Sequence, residues 1–130
     1  MFEKLKEYLN NSYSPYSNFK VAALVVTRDG KGFFGVNVEN KSYGGSVCAE
    51  RNAINSAISE GYTDFKEIHI LASEDYTMPC FICRQTFTEF FDNNVKIYIY
   101  DNSGNKKEYE LEEICPLLFE ANLWNQVLYQ

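Results

Sequence analysis

The stretch FKVAALVVTRDGKGFFGVNV (19–38) decides the fold. Its first part, 19–27, is a mostly continuous apolar run of strand length, and Asp29-Gly30 separates it from a second apolar run. Asp-Gly in that setting signals a tight reversal, because glycine takes up the positive φ that a hairpin turn requires. Residues 32–38 are therefore expected to return as the partner strand. Upstream, 2–10 reads as a short helix with Phe2, Leu5 and Leu9 at helical spacing, and SYSPYSN (12–18) reads as a loop from its proline and hydroxyl content.

Downstream, a polar loop over 39–46, with Gly44-Gly45 as its flexible part, leads into 48–60. There, apolar residues at 49, 53, 54, 57 and 58 form a one-sided helical stripe that Gly61 stops. The stretch EIHILA (67–72) alternates as a strand. Residues 79–92 form a second helix, with Cys83, Phe87, Phe90 and Phe91 on one face. A strand over 95–100, a turn at DNSGN (101–105), a short strand over 107–110 and helical pieces from 111 onward, interrupted by Pro116, complete the pattern. A hairpin followed by alternating helix and strand implies an α/β protein, a three-layer α/β/α sandwich built on a mixed sheet. The chain shows no repeat, linker or low-complexity segment. With 130 residues, 45% hydrophobic and 16% aromatic, it is expected to be a single domain over 1–130.

Charge narrows the class of partner. Twelve Lys and Arg against eighteen Asp and Glu give a net charge of −6, and Lys106-Lys107 is the one adjacent basic pair. Nucleic acid is thereby disfavoured and a small molecule favoured. No stretch approaches the roughly 20 apolar residues of a membrane span, and MFEKLKEYLN is charged throughout, unlike a signal peptide. The expected location is the cytoplasm. In that reducing setting the four cysteines, Cys48, Cys80, Cys83 and Cys115, point to metal or chemistry rather than to two disulfides.

PCFIC (79–83) opens the second helix with a cysteine pair whose spacing lets both sulfurs face one ion, a signal shared with redox motifs and structural zinc ribbons. In VCAERNAI (47–54), Cys48 opens the earlier helix. Two helix starts side by side across the intervening strand would gather three thiolates and leave a fourth corner free, the pattern of a catalytic zinc site. Glu50 in the same turn can serve as base and then acid for a metal-activated water. Three thiolates and one zinc carry net negative charge, which Arg51 and the two helix N-termini would draw off. Cys115, among Leu111, Ile114, Leu117 and Leu118, reads as a small buried apolar residue, although a closed four-cysteine zinc module would require it as ligand. His69, between Ile68 and Ile70, reads as structural.

With these motifs in place the sequence resembles the small, homotetrameric cytidine deaminases. The likeness runs in order through SPYSNFKVAAL (14–24), GVNVEN (35–40), SYGGSVCAERNAI (42–54) and PCFICRQ (79–85). The cysteine–glutamate and proline–cysteine-pair elements also match the general zinc-deaminase signature in its three-cysteine version. The resemblance implies one Zn2+ per chain on Cys48, Cys80 and Cys83, proton transfer by Glu50 as hydroxide attacks C4 of cytosine and ammonia leaves, and hydrolysis of cytidine and 2′-deoxycytidine in pyrimidine salvage. It further implies that Asn37 and Glu39 bind the sugar hydroxyls, that Phe19 packs on the base and that the Ala49 backbone reads the pyrimidine edge. Phe119 would enter the pocket of a neighbouring subunit in a homotetramer, with Tyr43 near the subunit contact. The amide and carboxylate at 37 and 39, on one face at a strand end, independently suit hydroxyl groups. Two departures stand out. Phe81 replaces a small residue, commonly Gly, and is expected to narrow the pocket or repack the subunit contact; Ala22 stands where Gly is common. A relative acting on another cytosine compound, such as blasticidin S, shares the zinc core and is the alternative. Polynucleotide editing uses the same chemistry, but the acidic charge opposes it.

Overall fold

The computed structural model describes residues 1–119. Five strands, β1 (Val21–Thr27), β2 (Gly32–Val36), β3 (Phe65–Ala72), β4 (Lys96–Tyr100) and β5 (Lys106–Glu110), form one sheet in the order β2-β1-β3-β4-β5. The β3–β4 pair is parallel and the other three are antiparallel, so the sheet is mixed. The expected hairpin joins β1 to β2. Gly30 sits at φ +95° in its turn, and the Thr27 amide donates to the Lys31 carbonyl at 2.8 Å.

Helix α1 (Phe2–Leu9) covers one face of the sheet, and α2 (Ala49–Ser59) and α3 (Phe81–Phe90) cover the other, giving three layers. Successive residues of β1 serve the two faces. Ala22, Leu24 and Val26 pack with Leu5 of α1, and Ala23 and Val25 pack with Ala53, Ile54 and Phe87. Burial on both sides is why β1 reads as a continuous apolar run rather than an alternating one. A short helix, α4 (Leu111–Ile114), adds Leu111 and Ile114 to the second core and ends before Pro116, which disfavours helical backbone in the residue ahead of it.

Several boundaries differ from the sequence reading. β2 stops at Val36: the Asn37 amide still donates to the Val21 carbonyl at 3.2 Å, but the Val21 amide is taken by the Asn37 side chain, and the Asn37 carbonyl turns to the Tyr13 amide at 3.0 Å. Val38 then makes isolated bridges to Tyr13 and Val47. The loop over 39–46 contains a single tight helical turn, Tyr43–Gly45. Both long helices start one residue after a cysteine: Cys48 and Cys80 are extended N-caps, and Pro79 lies outside α3. Cys80 is therefore on the rim of its helix rather than within it. The segment after 119, read as helical, lies outside the described residues.

α2 lies directly on the second strand. A β-carbon at Gly35 would come 2.3 Å from the Ala53 nitrogen and 2.5 Å from the Ala49 oxygen. Asn52 fastens the same contact, its Nδ2 donating to the Val36 carbonyl at 2.8 Å. On the opposite sheet face, His69 is buried, stacked on Tyr98 at 4.7 Å and 2.8 Å from the Tyr100 hydroxyl, with Glu67 on its other nitrogen. It is a core residue on the α1 side, away from the cysteines.

Candidate metal and active site

The sulfurs of Cys48, Cys80 and Cys83 all lie within 4.8 Å of one another. Cys48 and Cys80 occupy N-cap positions, where Ser, Thr, Asp or Asn ordinarily caps the free amides, yet neither side chain caps a backbone amide of its helix. Their thiols instead face each other, with the sulfurs 3.7 Å apart. Cys83, in the first turn of α3, is fully buried beneath them. All four cysteines are free thiols, and Cys115 stands apart, its Sγ directed at the Arg84 carbonyl at 3.7 Å.

The charge environment favours thiolate at Cys48. Cys48 is held down to about 5, first by a hydrogen bond from Cys83 and then by those from Arg51 and Cys80, against the opposing effect of burial. Cys83, as the donor to Cys48, is correspondingly pushed up. Arg51 Nη2 lies 3.6 Å from Cys48 Sγ, and its Nε is buried without a hydrogen-bond partner among the described residues. Three soft sulfurs with the Arg51 guanidinium beside them fit zinc. Two thiolates held tetrahedrally at ~2.3 Å from one zinc sit about 3.8 Å apart, which matches the Cys48–Cys80 separation.

Glu50 is 4% exposed and opens, with Cys48 and Cys80, onto a cavity of about 280 Å3. Burial pushes its carboxyl up to about 7, reinforced by the neighbouring Cys48 charge. Phe19, Val21, Asn37, Ile70, Thr77 and Met78 complete the wall. The chamber is thus mostly apolar, with Asn37, Glu50, Thr77 and the two cysteines as its polar lining. A larger groove of about 460 Å3 between α3 and the chain after α4 carries none of these groups.

The remaining candidates fall in four places. Asn37 reaches the cavity but also clamps the loop before β1. Its Oδ1 accepts from the Val21 amide at 2.9 Å and from the Ser12 hydroxyl, and its Nδ2 donates to the Phe19 carbonyl at 2.8 Å. Glu39 faces a neighbouring groove with Tyr16, Ser17 and Tyr43, and accepts the Tyr16 and Ser17 amides at 3.0 and 3.1 Å. The Ser17 hydroxyl on the same carboxylate holds it below the usual range. Ala49 is buried against Gly35; its amide is among the first-turn donors that have no partner within α2.

Phe119 lies at the groove beyond α4, not at the cavity of its own chain. Phe81 is not part of the cavity wall; it is 78% exposed and stacks with the Arg84 guanidinium at 4.5 Å, so the first of its two expected effects is not seen, and the other, repacking of a subunit contact, concerns a neighbouring chain. At an N-terminal helix position between a rim cysteine and a buried one, its side chain is turned outward. Ala22 faces α1, on the other side of the sheet. Val21, Ile70, Thr77 and Met78 were not singled out from the sequence. Nothing in their spacing distinguishes cavity wall from core, and only the pairing of β1 with β3 places Val21 beside Ile70.

An α/β sandwich with a three-cysteine cluster and a buried carboxyl group beside one small chamber has the makings of a zinc hydrolase. Residues 1–99 match the family described as cytidine and deoxycytidylate deaminase zinc-binding region. The chain is 33% identical over 116 residues to a cytidine deaminase of Mycoplasma genitalium, covering 88% of each chain. It is 37% identical over 115 residues to that of Halalkalibacterium halodurans, covering 88% of this chain and 87% of the relative. A crystal structure of cytidine deaminase from Burkholderia pseudomallei superposes with a TM-score of 0.85 at 37% identity, covering 91% of this chain and 95% of that one. The chain belongs to the cytidine and deoxycytidylate deaminase zinc-binding family.

Proposed function

We propose that this protein is a cytidine deaminase: it hydrolyses cytidine and 2′-deoxycytidine to uridine and 2′-deoxyuridine, releasing ammonia, in cytoplasmic pyrimidine salvage. The observation that carries the reading is the opening of Glu50, Cys48 and Cys80 onto one chamber of about 280 Å3. The 130 residues act as one catalytic domain. Cys48, Cys80 and Cys83 hold one zinc ion per chain, which supplies a Lewis acid that makes water nucleophilic near neutral pH.

Glu50 takes a proton from the attacking water on a carboxylate oxygen and returns one to the amine leaving C4. Its burial keeps bulk water from levelling that exchange. Phe19 packs on the base, the Ala49 backbone reads the pyrimidine edge, and Asn37 and Glu39 receive the sugar hydroxyls. Arg51 offsets the negative charge of the thiolates. Glu39 also disfavours a phosphorylated substrate by charge repulsion. In the proposed homotetramer, Phe119 reaches a neighbour's pocket.

Substituting Glu50→Gln tests the mechanism. Turnover of cytidine, followed by its ultraviolet band, is expected to fall by about 10²–10⁴-fold, with zinc content unchanged. A Glu50→Gln protein with normal turnover would refute the assignment. A second reading, deamination of a related cytosine compound such as blasticidin S, is favoured by one observation: Glu39 is held by Tyr16 and Ser17 in a groove beside the cavity. Unchanged cytidine turnover in Glu39→Gln would remove the ribose assignment, and a wild-type protein that turned over blasticidin S but not cytidine would support the second reading.

A further inference from the structure

Arg84 follows Cys83 directly and reaches back across the cysteine pair. Its Nε donates to the Pro79 carbonyl at 2.8 Å, and its Nη1 donates to the Ile114 carbonyl, at the end of α4, at 3.1 Å. The Cys115 thiol returns a contact to the Arg84 carbonyl at 3.7 Å, and the Phe81 ring lies over the guanidinium. One planar side chain thus joins the turn that leads into Cys80 to a helix that follows it by some thirty positions.

The Pro79 carbonyl and the Cys80 nitrogen belong to the same rigid peptide unit, so fixing that oxygen fixes the plane from which Cys80 departs. Pro79 itself has no amide with which to anchor the turn. Of the three clustered cysteines, Cys80 is the exposed one: Cys83 is enclosed by the core and Cys48 is half-buried beside Arg51. Cys80 is the sulfur least restrained by packing, and Arg84 supplies the restraint. No Arg84 hydrogen bond goes to a sulfur, which separates its part from that of Arg51.

We propose that Arg84 is a positioning residue that holds the Cys80 sulfur at the metal position by bracing the Pro79 carbonyl against the end of α4. This rests on the reading of the three cysteines as zinc ligands. The brace needs two donors in a fixed fork, so a lysine, which presents a point charge, cannot replace it.

The test uses the full-length protein, Arg84→Lys and Arg84→Met. Zinc affinity is measured by competition with a chelator, and the thiolate-to-cobalt absorption is recorded after cobalt(II) substitution. Both variants are expected to bind zinc about 10–100-fold more weakly, with altered cobalt bands and unchanged helical circular dichroism. If Arg84→Met fails to fold, Arg84→Lys alone decides. Wild-type affinity and bands in Arg84→Lys would overturn the proposal, since charge and not bracing would then suffice. Cys80→Ser in the wild-type background separates the two layers: undiminished zinc binding there would overturn the ligand reading, and the brace with it. Loss of zinc in Cys80→Ser with wild-type behaviour in both Arg84 variants would overturn the brace alone.

Discussion

A single methyl group at Gly35 would put the β2–α2 contact out of register. Its carbon would meet the backbone of α2 well inside van der Waals distance, and a helix backbone cannot rotate aside as a side chain can. Gly35→Ala is expected to cost about 1–3 kcal/mol of stability, read from the denaturant midpoint. Turnover should fall further than that loss explains, because α2 carries Cys48 and Glu50. Gly30→Ala makes the contrast. No atom lies within 4 Å of its added carbon, but φ is +95°, so only the left-handed strain of about 1–2 kcal/mol applies and activity should persist. In the sequence the two glycines look alike. Gly30 is legible because its neighbour Asp29 completes a local turn signal, whereas the reason for Gly35 lies in a helix that begins fourteen positions later. Glu50 and the three cysteines were legible because their chemistry is written in residue type and short spacing. Arg84 carried one signal, its adjacency to Cys83, and nothing local pointed to Pro79 and Ile114 as its partners.

Two helices that begin at a cysteine have no side chain capping their first turns, and a metal held between them would tie both starts together. Removing it should loosen α2 and α3 as a pair. With free zinc at 1,000 times its dissociation constant, linkage gives about 4 kcal/mol. At this length, that predicts a thermal midpoint more than about 10 °C lower after chelation, measured by calorimetry with and without chelator. Cys115→Ser should leave zinc at one per chain, since that thiol points at Arg84 and not into the cluster. Helix starts were legible to within two residues because capping and apolar stripes are local. The end of β2 was not: Val38 keeps the apolar character of a strand, and only the Asn37 bonds to Val21 and Phe19 show where the ladder gives way.

For the whole molecule, the order β2-β1-β3-β4-β5 places the hairpin beside β3 and makes β3–β4 the parallel pair. Alternation of helix and strand implied a mixed sheet but not that order, which depends on which apolar faces find one another. The His69 cluster, on the face opposite the cysteines, predicts a stability effect with pH. Burial holds His69 below its ordinary value near about 6.5; Glu67 pulls the other way, and Lys106 and the N-terminal amine add to the depression. Because its folded value is depressed, its contribution is present above the unfolded value and lost as pH falls. From about pH 7 to about pH 5 the wild type should lose more stability than His69→Gln, measured by urea unfolding at each pH. In the proposed tetramer, Phe119→Ala should raise KM for cytidine while zinc content stays at one per chain. The Cys48–Cys80 separation of 3.7 Å also sets how the protein must be handled. A disulfide needs the sulfurs at about 2.05 Å, a short closure for two thiols already facing each other, one of them on an exposed cysteine. In the proposed site a bound zinc would protect this pair against oxidation, and protein stripped in air should lose two titratable thiols and refuse the metal until a reductant restores them.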